Sequence, residues 1–256
     1  MSRPFALFLI ALLSACKIAP YTGRRQLILI PAAQEMALGL DAYQQTLQSS
    51  KLSTDAAQIQ MVQRVGARLA LAADKPEYKW EFNLIEDAAM VNAFCLPGGK
   101  VAVYTGILPV TRDEDGMAVV LGHEIAHALA RHGDERMSQG LIAQFGGVAL
   151  DALIAEKPAE VKQLYSAAYG TGAQVGVLLP YGRKQESEAD RIGLVIMAKA
   201  GYDPNHAIGF WQRMMEKSKG QPDTPTFLRS HPADEKRIND IQSWLPEATK
   251  HRPGGP

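Results

Sequence analysis

His123-Glu124-Ile125-Ala126-His127 is the part of this 256-residue chain whose residue types and spacing point most directly to chemistry. On a helix, positions i and i+4 lie one above the other, so two imidazoles at that spacing reach a single metal ion. The intervening glutamate is rotated by only about 100° from the first imidazole. His123 and His127 are therefore candidate ligands, and Glu124 flanks the ion without binding it. Neutral nitrogens with one open coordination position suit Zn2+, which lowers the pKa of a bound water to roughly 7, where an adjacent carboxylate can take its proton. The apolar run Met117 to Gly122 that leads into the motif suggests a core helix. Two histidines and a glutamate buried there without a ligand would leave polar groups unpaired at considerable cost.

Two histidines leave such a site incomplete. Glu186-Ser187-Glu188-Ala189-Asp190 offers the missing carboxylate on a second predicted helix. Glu186 and Asp190 are four apart and share a face, Glu186 placed to ligate and Asp190 to accept the outer N–H of His123 and fix its tautomer. Glu188 points about 200° away and is expected in solvent. Arg183, Lys184 and Arg191 nearby leave open the plainer reading of a charged surface helix.

H-E-I-A-H followed by E-S-E-A-D resembles the HtpX-like and CAAX-prenyl-endopeptidase family of gluzincin metallopeptidases, in particular its soluble bacterial lipoprotein branch. Matching segments run from Thr22-Gly23-Arg24-Arg25 to Leu245 and include Val91 to Gly99, Ser230-His231-Pro232 and Arg237. The resemblance implies a zinc-dependent endopeptidase with one Zn2+ per chain held by His123, His127 and Glu186. It also implies Glu124 as general base, and polypeptide substrates such as misfolded envelope proteins. His231, extended before Pro232 in a polar loop and expected at the surface, has three readings: a donor to the oxyanion, an occupant of the open zinc position at rest, or a loop histidine bonded to backbone. Arg237 and Tyr181 are further candidates for oxyanion or carboxylate contacts. His132, His206 and His251 receive no role.

Helices must carry these groups, and the periodicity supplies them. Apolar residues recur at three- and four-residue spacing over 32–49 and 54–73, and helical patterns return over 117–131, 184–200 and 204–219. The first of these later helices has acids Asp113 to Asp115 in its opening turn and Gly133 as a plausible stop. Leu141 to Ala155 is apolar, but too short and interrupted to span a membrane, and reads as a buried or groove-lining helix. Alternation at Trp80 to Ile85 and a strand Lys100–Tyr104 after Pro97-Gly98-Gly99 mark one small sheet. The fold class is α+β: a mostly helical zincin-type domain with that sheet beside the active-site helix. Strand Lys100–Tyr104, read as an edge, would offer its backbone to an extended peptide, with Asn92 and Ala93 as substrate-binding residues. An ordinary hairpin accounts for the same segment. Cys95 reads as a small buried residue.

Composition narrows the partners. Charge is balanced at 27 basic against 27 acidic residues, which gives no footprint for nucleic acid, and 46% hydrophobic residues support a full core. Two cysteines exclude a disulfide scaffold and a thiolate zinc cage. Residues 1–15 have the layout of a signal peptide, and Leu13-Ser14-Ala15-Cys16 resembles the lipobox of bacterial lipoproteins. That resemblance implies acylation at Cys16, a tether over 16–25 against regular structure, a protease domain over 26–248 and a disordered tail over 249–256. It places the chain in the periplasm-facing Gram-negative envelope, membrane-bound through its N-terminal lipid, with Lys17 matching outer-membrane sorting. No feature identifies a protein partner. A chaperone-like or scaffolding lipoprotein that keeps the zinc site but rarely cleaves is the alternative, and a zinc hydrolase of cell-wall peptides a third reading.

Overall fold

The computed structural model describes residues 16–145, 156–169, 182–219 and 224–253. In chain order these form β1 (Cys16–Ile18), β2 (Arg25–Leu27), α1 (Ala32–Gln48), α2 (Ala56–Ala73), β3 (Glu81–Ile85), β4 (Ala93–Leu96) and β5 (Lys100–Tyr104). There follow α3 (Leu108–Thr111), α4 (Glu114–Leu129), α5 (His132–Phe145), α6 (Pro158–Tyr169), α7 (Gly182–Lys199), α8 (His206–Ser218), α9 (Thr226–Ser230) and α10 (Glu235–Thr249). This is the expected mostly helical α+β arrangement, with the small sheet packed beside the helix that carries His123.

That helix, α4, is the centre of the molecule. Asp113 caps it, its carboxylate accepting from the Gly116 N–H at 2.8 Å, and Glu114 and Asp115 place negative charge at the positive end of the helix dipole. Every residue from Gly116 to Leu129 is buried, so α4 has no solvent face. It ends at Ala130, and the chain turns at Arg131, which adopts φ 54; the stop expected at Gly133 comes two residues earlier. α7 lies directly on α4. Gly122 and Gly193 meet at the crossing, where a Cβ on Gly193 would stand 3.0 Å from the Gly122 carbonyl carbon. This approach of backbones sets the carboxylates of α7 level with the histidines of α4.

The sheet has strand order β3-β5-β4. β3 pairs parallel with β5 from Glu81↔Lys100 to Ile85↔Tyr104, and β4 pairs antiparallel with β5 from Ala93↔Val103 to Leu96↔Lys100. Lys100–Tyr104 is thus the central strand, not the edge. Its neighbour β4 is an edge, and all four of its residues are buried. Side chains alternate between two cores. Ala93, Cys95, Val101 and Val103 face the main core with α4 and α2, while Phe94, Leu96 and Ala102 face Tyr43 of α1. Tyr43 ties α1 to the sheet by donating to the Val101 carbonyl at 3.0 Å. The β4–β5 hairpin turns through Gly98 and Gly99 at φ 82 and 80, a conformation only glycine adopts without strain.

Residues 16–25, read as a tether without regular structure, form the first part of a hairpin in which β1 pairs antiparallel with β2. The loop between them is closed by Ala19 N–H to Arg24 O at 2.8 Å and Gly23 N–H to Ala19 O at 3.1 Å, so backbone hydrogen bonds outweigh the turn-forming tendency of Pro20 and Gly23. The apolar stretch 141–155 begins within α5 and then passes outside the described residues, as do the signal-like residues 1–15, Tyr181 and residues 254–256. Among the described residues no helix is long and apolar enough to cross a membrane.

Candidate metal centre

Four side chains converge at the α4–α7 crossing. One ligand atom from each of His123, His127, Glu186 and His231 lies within 4.8 Å of every other. The two Nε2 atoms of α4 face each other at 3.1 Å, and Glu186 stands 3.2 Å from His123 Nε2 and 3.3 Å from His127 Nε2. His231, expected in an exposed loop, is buried. Its Nδ1 is 3.1 Å from His123 Nε2 and 2.8 Å from Glu186 Oε2. The reason is local: α9 and the Arg237–Pro232 hydrogen bond of 2.9 Å fold the segment inward.

The outer nitrogens are also held. Asp190 accepts from His123 Nδ1 at 2.9 Å, as the four-residue spacing suggested. Arg237 grips Asp190 with two hydrogen bonds of 2.7 and 2.8 Å, lies 3.3 Å from Glu186 and stacks 3.4 Å over the Trp211 ring. His127 Nδ1 lies 2.8 Å from His132 Nδ1, and His132 Nε2 lies 2.9 Å from Glu188 Oε2. His132, given no role from the sequence, is therefore in contact with the cluster. Glu188 is buried instead of solvated, because α7 is enclosed on the side facing α5 and the N-terminal hairpin.

Proton accounting tests whether this donor set fits zinc. The Glu188 carboxylate only accepts, so His132 Nε2 carries the proton; burial keeps His132 below the usual histidine range. A neutral His132 then accepts at Nδ1, which puts the His127 proton on Nδ1 and leaves its Nε2 lone pair facing inward. Asp190 does the same for His123. Two lone pairs and a carboxylate thus share one small buried space, a donor set for a tetrahedral divalent cation. The same carboxylates create a demand for positive charge: burial pulls His123 down, but Asp190 and Glu186 carry its pKa up to about 9. Burial would raise Glu186, yet the His231 and His127 imidazoles facing it, with hydrogen bonds from His123 and His127, hold it well below the carboxylate range. Burial drives His127 well below the histidine range.

Glu124 sits beside the cluster with Oε1 in ion-pair range of His231 Nε2 at 3.4 Å, but without a hydrogen-bond partner among the described residues. Burial raises its pKa, which is the direction a proton acceptor working near neutrality requires. Asn92 is buried and its carbonyl accepts from Tyr104 N–H at 3.0 Å, while Ala93 opens β4 against α4. The preceding Val91 carbonyl accepts from Phe227 N–H at 2.9 Å, so α9 covers the start of the edge strand. His206 stands apart, 3.9 Å from Asp113, and His251 lies exposed in the C-terminal turn. Cys95 is buried, and burial followed by the Glu124 charge pushes its thiol well above the ordinary range, which suits a packing residue and not a nucleophile.

The sequence profile of peptidase family M48 matches residues 56–245. The chain is 37% identical over 237 residues to the mitochondrial metalloendopeptidase OMA1 of Schizosaccharomyces pombe, covering 91% of this chain and 67% of that protein. It is 31% identical to the human mitochondrial metalloendopeptidase OMA1, covering 96% of this chain and 49% of the relative. The beta-barrel assembly-enhancing protease of Yersinia pestis is 29% identical over 243 residues, covering 94% of this chain and 50% of the relative. The chain thus spans about half to two thirds of the length of these relatives, which fall on more than one branch.

Proposed function

Given that the chain belongs to peptidase family M48, we propose that it is a zinc-dependent endopeptidase with Glu124 as its general base. The observation that carries this reading is the pair of His123 and His127 Nε2 atoms facing each other beside Glu186, with an unpartnered Glu124 oxygen alongside. When bound there, Zn2+ supplies a Lewis acid for the scissile carbonyl and an acidified water. His123, His127 and Glu186 would hold the ion. Glu124 Oε1 takes the water proton and returns it to the leaving amine. Asp190 keeps His123 in the ligating tautomer, and Arg237 holds Asp190 in place instead of reaching a substrate oxygen.

His231 and α9 cap this machinery at rest. His231 is the fourth donor of the cluster, and Phe227, four residues earlier, occupies the Val91 carbonyl next to Asn92 and Ala93. Withdrawal of one short segment would free both a metal position and the main-chain groups that an extended substrate would pair with. The same cap favours the second reading, a chaperone-like or scaffolding protein that rarely cleaves. Substrates in the cell envelope, and a lipid on Cys16 as membrane anchor, are supported by the signal-like N-terminus and by likeness to the Yersinia pestis relative.

Zinc content and casein cleavage of the wild type beside Glu124→Gln test the assignment. Both proteins should hold one zinc, and cleavage should fall by roughly a hundredfold to ten-thousandfold in the variant. Activity surviving in Glu124→Gln would remove Glu124 as base. Wild-type zinc affinity in Glu186→Ala would remove the third ligand.

A further inference from the structure

Each ligating histidine needs its outer nitrogen protonated and held, and the two are held by opposite ends of the chain. His123 reaches Asp190, which is backed by Arg237 of the C-terminal α10. Among the described residues, the hydrogen-bond partner of His127 Nδ1 is His132, at 2.8 Å. His132 in turn stands 2.9 Å from Glu188, and Glu188 is gripped from the N-terminal hairpin, by the Thr22 hydroxyl and by Arg24 Nε at 2.7 Å. The rest of the Arg24 guanidinium forks onto both oxygens of Glu135 at 2.7 Å each, and Gln185 also donates to Glu135 at 2.8 Å. One arginine therefore joins a carboxylate of α7 to one of α5 directly behind the metal ligand.

We propose that His132 is a positioning residue for the zinc ligand His127, and that the N-terminal hairpin holds it in register through Thr22, Arg24 and Glu188. Ligation through Nε2 leaves the His127 proton on Nδ1, so the chain runs in one direction: His127 Nδ1–H donates to His132 Nδ1, and His132 Nε2–H donates to the Glu188 carboxylate. A side chain that could not accept at the first link would leave the His127 proton unheld and its ring free to rotate. Loss of Arg24 would leave Glu135 and Glu188, two buried carboxylates, without the cation they share. The hairpin that begins at Cys16 is thereby part of the metal centre. Any anchor placed there pulls on a segment linked to a zinc ligand by three hydrogen-bonded contacts.

The inference rests on His123, His127 and Glu186 holding zinc, and its test separates the two. Zn2+ affinity is measured on the purified chain by competition with a chromophoric chelator, the Co2+ form is examined for its d–d absorption, and circular dichroism checks the fold. His132→Phe should weaken Zn2+ by about 10- to 100-fold and alter the Co2+ spectrum. His132→Gln should restore most of that loss, since its amide oxygen can accept from His127 while its NH2 donates to Glu188. Arg24→Gln, at the partly exposed hairpin, should weaken Zn2+ by about tenfold with His132 intact, and carries the test if His132→Phe does not fold. Wild-type affinity and Co2+ spectrum in folded His132→Phe and Arg24→Gln would overturn the proposal, as would equal losses in the Phe and Gln variants at position 132. A wild-type chain that takes up no zinc would instead overturn the metal centre itself.

Discussion

His231 is the residue whose role the cluster sharpens most, because its Nδ1 touches Glu186 at 2.8 Å while its Nε2 approaches Glu124 at 3.4 Å. It competes for the metal position with one nitrogen and sits beside the proposed base with the other. His231→Ala is expected to weaken zinc by about tenfold through loss of one donor, yet to raise cleavage of an unstructured substrate at saturating zinc. A fall in turnover at full occupancy would assign His231 to the oxyanion instead. At this scale the sequence was most readable where function follows helical period: His123 with His127 and Glu186 with Asp190 lie where four-residue spacing put them, and Glu124 flanks the cluster. His132 was not readable. It is five residues beyond His127, across the left-handed turn at Arg131, and no regular period predicts where such a side chain points. Glu188 does turn away from the metal as its helix angle requires, but the space behind α7 is filled by α5 and the hairpin, which only the tertiary structure reveals.

The element that positions everything is the α4–α7 pair, and its tolerance is set by glycine. A Cβ on Gly193 would lie 3.0 Å from Gly122 C, 3.1 Å from Gly122 O and 3.1 Å from His123 N, all backbone atoms that cannot swing aside. Gly193→Ala should therefore push the helices apart and destabilise the fold by about 1–3 kcal/mol, read from urea unfolding. Because Gly193 is two turns from Glu186 and its neighbour across the crossing adjoins His123, zinc affinity should fall in the same variant. Unchanged stability and affinity would show that the crossing can slide. α1, α2, α4, α7 and α8 were legible to within a few residues from their apolar stripes, α2 with its buried Val62, Val65 and Leu69 above all, whereas α5, which runs through Gly133, and α6 and α10 were not. Strand order was not. Alternation at β5 is the same for a central as for an edge strand, and Lys100 at its head is a residue that edges favour. Here the Lys100 ammonium is buried, donating to the Lys79 carbonyl at 2.7 Å and pairing with Glu81, so the parallel β3 pairing covers what the sequence presented as exposed.

Across the whole molecule, the main core around α4 is joined to a smaller one formed by Ile30, Met137, Leu141, Val161, Tyr165 and Ala168. The junction is ionic. Arg131, in the left-handed turn that ends α4, pairs with Glu35 of α1 at 2.8 Å and with Asp134 of α5 at 2.5 Å, and also donates to the Ile30 carbonyl at 3.0 Å. Two buried carboxyl groups share one guanidinium, so one of them has reason to keep its proton. Glu35 is that group: burial, then the Asp134 charge, push it from 4.5 up to about 9, with Arg131 opposing. In the folded chain Glu35 binds its proton more tightly than in the unfolded chain, so its contribution to stability is complete below about 4.5 and is lost as pH rises toward about 9. The slope for one proton is at most about 1.4 kcal/mol per pH unit. Glu35→Gln keeps the neutral form at every pH, with an amide that can donate to Asp134 and accept from Arg131. Urea unfolding at about pH 5, 7 and 8.5 should show stability declining with pH in the wild type and a flatter profile in the variant. Parallel profiles would mean that the two cores are joined with Glu35 ionised.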